Sequence, residues 1–106
     1  MKKNKIILKF GKTTTNLAGN RLGNEVFCEQ VKPKLVENLV NIVIFPYEIE
    51  DIASSFIEGL YKELGEKYGK ENVFDRMILT AENEEAQKKI LDSIETYGVW
   101  LWVIKT

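Results

Sequence analysis

An unbroken apolar run near the middle of the chain, Ile42–Phe45, constrains the fold more than any other stretch. Its apolar residues do not alternate with polar ones, which is typical of a strand covered on both faces in a parallel α/β sheet. Pro46 ends the run, because proline cannot donate a hydrogen bond to the ladder. An acidic link, Tyr47–Asp51, then leads into Ile52–Phe56, where a helix is predicted to begin. The stretch therefore predicts a central strand, followed by a helix N-terminus whose N–H groups favour negative charge.

Strand and helix patterns alternate along the rest of the chain. Four strands are predicted, over Lys5–Phe10, Asn41–Phe45, Arg76–Thr80 and Val99–Ile104. Three helices separate them: Asn20–Asn38 with a bend at Pro33, a second from Ser54 or Ser55 to Gly69, and a third that Asn83 caps and Gly98 ends. The alternative for the first helix is that Pro33 ends it near Lys32. This β-α-β-α-β-α-β order predicts one α/β domain over residues 1–106, with a largely parallel four-stranded sheet packed by three helices.

Composition narrows the classes of function. With 15 basic and 16 acidic residues the formal net charge is −1, so a nucleic-acid partner is not expected. No apolar run approaches the roughly 20 residues of a membrane span, and a single cysteine, Cys28, excludes an internal disulfide, so the predicted location is the cytoplasm. The chain has no histidine, which removes histidine acid–base catalysis and leaves too few ligands for zinc. We expect neither a metal nor a cofactor.

The threonine-rich loop and the single cysteine are both predicted to have no binding or catalytic role. The loop Lys12–Gly19 carries three consecutive threonines and is predicted to be a solvated connector, with an anion-binding loop as the alternative. Cys28 lies beside the apolar face of the first helix and is predicted to be a half-buried structural thiol, since no base is present to activate it.

Several short motifs together resemble one protein family. They are Asn20–Gly23, Ile42–Phe45, Ile52–Phe56, Arg76–Thr80 and Asn83. The set resembles the STAS-like domain family, small bacterial domains of largely unknown function that are related to the anti-sigma-factor antagonist fold. The similarity covers about Asn20–Tyr97, and it implies a non-enzymatic regulatory module for protein–protein interaction.

In the antagonists of that wider fold, the turn after the central strand reads Asp-Ser-Ser-Gly or similar, and a partner ATP-dependent kinase phosphorylates the first serine. Here Ser54 stands where that serine would be, so the resemblance implies Ser54 as the phosphorylation candidate and a histidine-kinase-like ATPase as the partner. Ala53 stands in place of the aspartate and Phe56 in place of the glycine. Phe45 stands where STAS-like proteins usually have an aspartate at the strand end.

The first functional hypothesis is a partner switch at the start of the second helix. Its surface comprises six polar residues: Arg21, Glu50, Asp51, Ser54, Ser55 and Glu58. Phosphorylation of Ser54 would add about −1.5 to −2 charges beside the carboxylates of Glu50 and Asp51. The alternative is that both serines only cap the helix. Ser55 and Glu58 fit a capping box, in which each side chain bonds the other residue's backbone N–H.

The second hypothesis is a constitutive assembly module without phosphorylation. The strand Val99–Ile104, with Trp100 and Trp102 on one face, would pair with its counterpart in a homodimer or with another protein. The alternative is an internal strand beside Lys5–Phe10.

The third hypothesis is an enzyme in which Asp51, Glu58 and Arg21 meet near the loop. Without histidine, a metal set or a nucleophile–base pair, the prediction is that the chain is not an enzyme. Arg21 has two other readings, an ion pair with Glu25 four residues on, or an anion contact beside the loop.

Overall fold

A three-stranded parallel sheet forms the centre of the molecule. The computed structural model describes residues 2–69 and 72–105, with side chains described as far as residue 95. The sheet contains β1 (Lys3–Ile7), β3 (Val40–Phe45) and β5 (Met77–Ala81), in the order β1-β3-β5. Two short strands, β2 (Asn16–Leu17) and β4 (Asp51–Ile52), pair in parallel as a separate ribbon. The predicted α/β class and the central position of the apolar strand are confirmed.

In the described residues four α-helices accompany the strands, one more than predicted. They are α1 (Asn20–Val26), α2 (Ser54–Tyr68), α3 (Val73–Arg76) and α4 (Glu84–Lys105). The start of α2 at Ser54 is confirmed, and so is the cap of α4, since the Asn83 Oδ1 accepts from the Glu85 N–H at 2.9 Å. Gly69 follows α2 with a positive φ of 89°, a conformation that glycine adopts at little cost.

The hydrophobic core lies on one face of the sheet only. The chain passes from β1 to β3 and on to β5 in the same direction across the sheet. Since crossovers between parallel strands are right-handed, the helices in both connections lie on the same face. Val43 and Phe45 of β3 are fully buried on that side, whereas Ile42 and Ile44 on the other side are half-buried. The expectation that β3 is covered on both faces is therefore wrong. Its apolar run has a second, open face.

The covered side is tightly packed by aromatic and aliphatic side chains. Phe45 meets Phe56 of α2 edge to face, with ring centroids 6.1 Å apart, and both rings are fully buried. The buried Tyr61 donates its hydroxyl proton to the Met77 carbonyl at 2.8 Å, so α2 is tied to β5 by a polar contact within the core. Ala86 and Ile90 bring α4 into the same core.

The predicted last strand, Val99–Ile104, is wrong. The backbone there is helical and continues α4 to Lys105 past Gly98, so the four-stranded sheet and the β-α-β-α-β-α-β order are not observed. Six consecutive apolar residues are compatible with a strand or a buried helix, and their periodicity does not separate the two. The side chains of Trp100 and Trp102 lie outside the described ones. No helix in the described part of the chain combines the length and apolarity that a membrane span requires.

The first helix is shorter and less regular than predicted. After α1 the chain makes one π-helical turn, Phe27–Val31, and a 3₁₀ turn, Lys32–Lys34, before Leu35 becomes extended. The predicted continuation to Asn38 is wrong, and so is the Asn20 cap, because Gly19 occupies the cap position with a φ of 94°. Cys28 is exposed, not half-buried, since the widened turn rotates it away from the core.

Boundary shifts in the strands are small. The first strand begins at Lys3 and ends at Ile7, where Lys5–Phe10 was predicted, and β5 lies one residue later than Arg76–Thr80. The predicted threonine connector contributes β2, which pairs with β4 directly before α2.

Candidate interaction surface

The β2–β4 ribbon and one extended residue set the start of α2. Ala53 has φ −74° and ψ 150°, and its N–H donates to the Leu17 carbonyl at 2.8 Å. Its carbonyl accepts from the N–H groups of Phe56 at 3.0 Å and Ile57 at 3.3 Å. Ala53 is thus the N-cap, and Ser54 is the first residue of a 15-residue helix.

The two serines have different environments. The Ser55 hydroxyl is half-buried and accepts a hydrogen bond from the Gly19 N–H at 3.0 Å. The predicted capping box with Glu58 is wrong, because α2 has no side-chain cap bond and Ser55 faces the start of α1 instead. Ser54 is exposed, and within the described part of the chain its hydroxyl makes no hydrogen bond. Ser55 therefore has a structural role, while Ser54 is accessible.

Two buried glycines hold the amino-terminal turns of α1 and α2 against each other. A Cβ on Gly23 would lie 2.1 Å from the Phe56 carbonyl oxygen, and a Cβ on Gly59 would lie 2.2 Å from the Asn20 carbonyl oxygen. At Gly23 and Gly59 the backbones of the two helices are so close that no side chain larger than the hydrogen atom of glycine fits between them. Because of this contact, the start of α1 and the start of α2 lie side by side on one surface.

The charged residues of the predicted surface do not converge on one point. The Arg21 guanidinium, 94% exposed, pairs with the Glu25 carboxylate at 3.3 Å, as the i,i+4 reading predicts. Asp51 pairs with Lys89 of α4 at 3.8 Å. Glu50 and Glu58 are exposed. The three residues of the enzyme hypothesis therefore do not meet. Arg21 and Asp51 form separate ion pairs, and Glu58 is exposed to solvent.

Two cavities lie at opposite ends of the sheet. The one near the carboxyl ends of β1 and β3, about 260 Å³, lies beside the threonine loop and is lined by Phe10–Lys12, Thr14, Pro46, Glu48 and Ile49. The larger, about 410 Å³, lies at the amino ends of β3 and β5. It carries both signs of charge, with Glu37 and Arg76 among its lining residues. In the residues that the structure describes, no group of three or more histidine, cysteine or carboxylate side chains is placed to hold a metal.

Two lining residues of the amino-end cavity, Glu37 and Arg76, both contact Tyr68. The Arg76 guanidinium lies over the Tyr68 ring, 3.7 Å from its centroid, and the Tyr68 hydroxyl donates to the Glu37 carboxylate at 2.8 Å. This hydrogen bond, together with the charge of Lys67, lowers the pKa of Glu37. Glu37 and Arg76 therefore bring opposite charges to one side of this cavity.

Sequence reasoning missed one buried polar residue that organises the amino end of the sheet. Asn41 is 3% exposed, and its amide donates to the carbonyls of Val36, Leu39 and Arg76 at 3.0–3.2 Å. Its oxygen accepts from the Val36 N–H at 3.0 Å and from the Asn4 amide at 2.8 Å. The only sequence signal was a polar residue at the start of an otherwise apolar strand.

Comparison with known proteins found no matching family model, no matching curated protein and no matching solved structure. The STAS-like resemblance accordingly stays a prediction from the sequence motifs.

Proposed function

We propose that this chain is a non-enzymatic regulatory protein–protein interaction module of the STAS-like type. Its partner-binding surface is formed by the amino-terminal turns of α1 and α2, and Ser54 is the residue whose phosphorylation switches binding. The proposed partner is a histidine-kinase-like ATPase in the cytoplasm of a bacterium. The observation that carries the proposal is the contrast between Ser54, whose exposed hydroxyl is accessible, and Ser55, whose hydroxyl is bonded to Gly19.

The surroundings of Ser54 suit a charge-dependent switch. A phosphate there lies at the first residue of a 15-residue helix, whose unpaired N–H groups and dipole favour an anion. The exposed carboxylates of Glu50 and Glu58 contribute negative charge to the same surface, while Asp51 is paired with Lys89. Adding about −1.5 to −2 charges therefore makes the surface strongly acidic without a need to unfold the helix. An apolar or acidic partner surface would then dissociate.

The backbone contact between α1 and α2 supports a binding role. Because Gly23 and Gly59 allow the two helices to touch, the surface is a rigid platform whose shape is present before a partner arrives. A preformed surface loses less conformational entropy on binding than a flexible loop would. Phe45, fully buried against Phe56, fills the position at which STAS-like proteins usually carry an aspartate, so the switch relies on Ser54 alone.

Phosphorylation is tested with the kinase-like ATPase encoded nearest to this gene. We expect intact-mass measurement after incubation with ATP to show one added phosphate on the wild type and on Ser55→Ala, and none on Ser54→Ala. Calorimetric titration should show that the phosphorylated chain binds the ATPase at least about tenfold more weakly, a change of roughly 1.4 kcal/mol. Tight binding with an unmodified Ser54 would contradict the switch and leave a constitutive interaction module.

The two serines are also expected to differ in stability measurements. Ser55→Ala should lower the free energy of unfolding by about 1–2 kcal/mol, because the half-buried Gly19 N–H loses its acceptor. Ser54→Ala, the matched control on the neighbouring exposed position, should change it by less than about 0.5 kcal/mol. Urea unfolding followed by circular dichroism measures both. Equal losses would show that Ser54 has a structural role that the geometry does not reveal.

A further inference from the structure

The cavity at the amino ends of β3 and β5 is separate from the partner surface proposed above. Ser54 is the first residue of α2, and Tyr68, which contacts two lining residues of the cavity, is the last. The two ends of this helix are about 20 Å apart, at a rise of about 1.5 Å per residue. The cavity volume of about 410 Å³ is within the range of small-molecule sites.

The cavity is polar, and its unpaired charges favour an anion. Glu37 shares its negative charge with Lys67, whose Nζ lies 3.6 Å from the carboxylate. Among the described residues neither Lys2 nor Arg76 forms an ion pair, and Asp75 is the one lining carboxylate without such a partner. Two unpaired cations thus face one unpaired carboxylate. Six of the eight lining residues have polar or charged side chains: Lys2, Glu37, Asn38, Asn72, Asp75 and Arg76.

The Arg76 guanidinium has the chemistry to bind that anion. Its Cζ lies 3.7 Å from the centroid of the Tyr68 ring, so the side chain is held against the ring. Its Nε is buried, and no described residue accepts a hydrogen bond from it. The two Nη groups also make no hydrogen bond in the described part of the chain, but they are not buried. They form the fork with which arginine binds two oxygens of a carboxylate or a phosphate.

Asn41 ties together the backbone on both sides of the cavity. Its amide donates to the carbonyls of Leu39 and Arg76, both at 3.2 Å, and both of these residues line the cavity. It also bonds the N–H and the carbonyl of Val36, the residue before Glu37, each at 3.0 Å. These bonds hold the backbone of the site in place without a ligand, which lowers the entropy lost on binding.

We propose that this cavity binds a small organic anion through its carboxylate or phosphate group. Arg76 contacts two oxygens of that group with its Nη atoms, and Lys2 adds a second positive charge. Because most of the lining is polar, the rest of the ligand is polar too, with hydrogen bonds to the exposed carboxamide of Asn38. The proposal does not rest on the phosphorylation of Ser54 at the other end of α2.

A chemical-shift titration of isotope-labelled protein with sodium phosphate, and separately with sodium acetate, tests the site. Sodium chloride at equal ionic strength is the control. Burial of Nε slows the exchange of its proton with water, so the side-chain signal of Arg76 can be followed directly. We expect saturable shifts of this signal and of the amides of residues 37–40 with phosphate or acetate, and none with chloride. The anion with the lower dissociation constant identifies the group that the site prefers.

Variants separate specific binding from a general effect of charge. Arg76→Lys keeps the charge but loses the fork, and should raise the dissociation constant at least about tenfold. Asp75→Asn removes the unpaired carboxylate and should lower it about threefold, the effect of one charge several ångströms away in water. Lys62→Gln, at an exposed position of α2 outside the cavity, should leave it unchanged. Ser54→Ala should bind both anions as the wild type does, so the site and the switch are tested separately.

Two results would overturn the proposal. One is an Arg76→Lys variant that binds phosphate and acetate as tightly as the wild type, and the other is a set of shifts that chloride reproduces. Circular dichroism shows whether each variant is folded. If Arg76→Lys does not fold, Asp75→Asn decides, because a variant that binds no more tightly than the wild type would equally contradict an anion site in this cavity.

Discussion

Gly59→Ala is expected to lower the free energy of unfolding by about 1–2 kcal/mol, although the substitution is made in the middle of a helix. Helix propensity alone predicts the opposite sign, a gain of about 1 kcal/mol for alanine over glycine. The added methyl would lie 2.2 Å from the Asn20 carbonyl oxygen, and this atom belongs to a backbone that cannot rotate away as a side chain would. Overpacking of this kind typically costs about 1–3 kcal/mol or more, which outweighs the gain in propensity.

Two controls isolate the close contact between the helices. Gly11→Ala lies in an exposed loop, where the new methyl meets only the Thr14 hydroxyl at 3.4 Å, and should change stability by less than about 0.5 kcal/mol. Glu58→Ala, on the exposed side of α2 next to Gly59, should be equally mild. Chemical unfolding of the three variants measures the difference. If Gly59→Ala instead stabilised the protein, α1 and α2 could move apart at little cost. That result would contradict the preformed binding surface in the functional proposal.

Asn41→Leu is expected to lower the free energy of unfolding by about 2–4 kcal/mol. Leucine suits an apolar strand and has the same number and branching of side-chain heavy atoms as asparagine. It leaves the carbonyls of Val36, Leu39 and Arg76 without their donor and the Val36 N–H without its acceptor. A buried polar group that loses its partner costs about 1–3 kcal/mol, and the partial exposure of these groups moderates the sum. The loss should therefore be large for a nearly isosteric change.

The matched control is Asn38→Leu in the exposed turn that precedes β3, where a change below about 0.5 kcal/mol is expected. Thermal and urea unfolding of both variants provides the measurement. Hydrogen exchange supplies a local readout, because the Val36 amide should lose protection in Asn41→Leu. If Asn41→Leu lowers the free energy of unfolding no more than Asn38→Leu does, water must satisfy the groups that Asn41 bonds. The hydrogen-bond network would then not contribute to stability.

Local patterns predicted the elements whose determinants lie within a few residues. The apolar run before Pro46 is β3, Gly69 ends α2 and Asn83 caps α4. Each of these depends on backbone geometry or on a hydrogen bond between neighbours in sequence, so the signal is complete in the printed residues.

The failures have different causes, which are determinants in distant parts of the chain for Ser55 and Asn41 and an ambiguous local pattern for Val99–Ile104. Ser55 matched a capping box, but α1 brings the Gly19 N–H to its hydroxyl from 36 residues away. The strand predicted at Val99–Ile104 is a helix, because six apolar residues satisfy either period. Asn41 looked like a strand boundary, and only the turn at Val36 and the neighbouring strand reveal its role.

The sequence by itself determined the α/β class, the central strand, the start of α2 at the two serines and the lack of histidine chemistry. Only the tertiary structure decided which serine is available and that one face of the sheet stays open. Crossovers that all turn the same way place every helix on one side, and no local pattern contains that information. Ile42 and Ile44 therefore have the residue type of a core but are only half-buried, because the helices lie on the opposite face of the sheet.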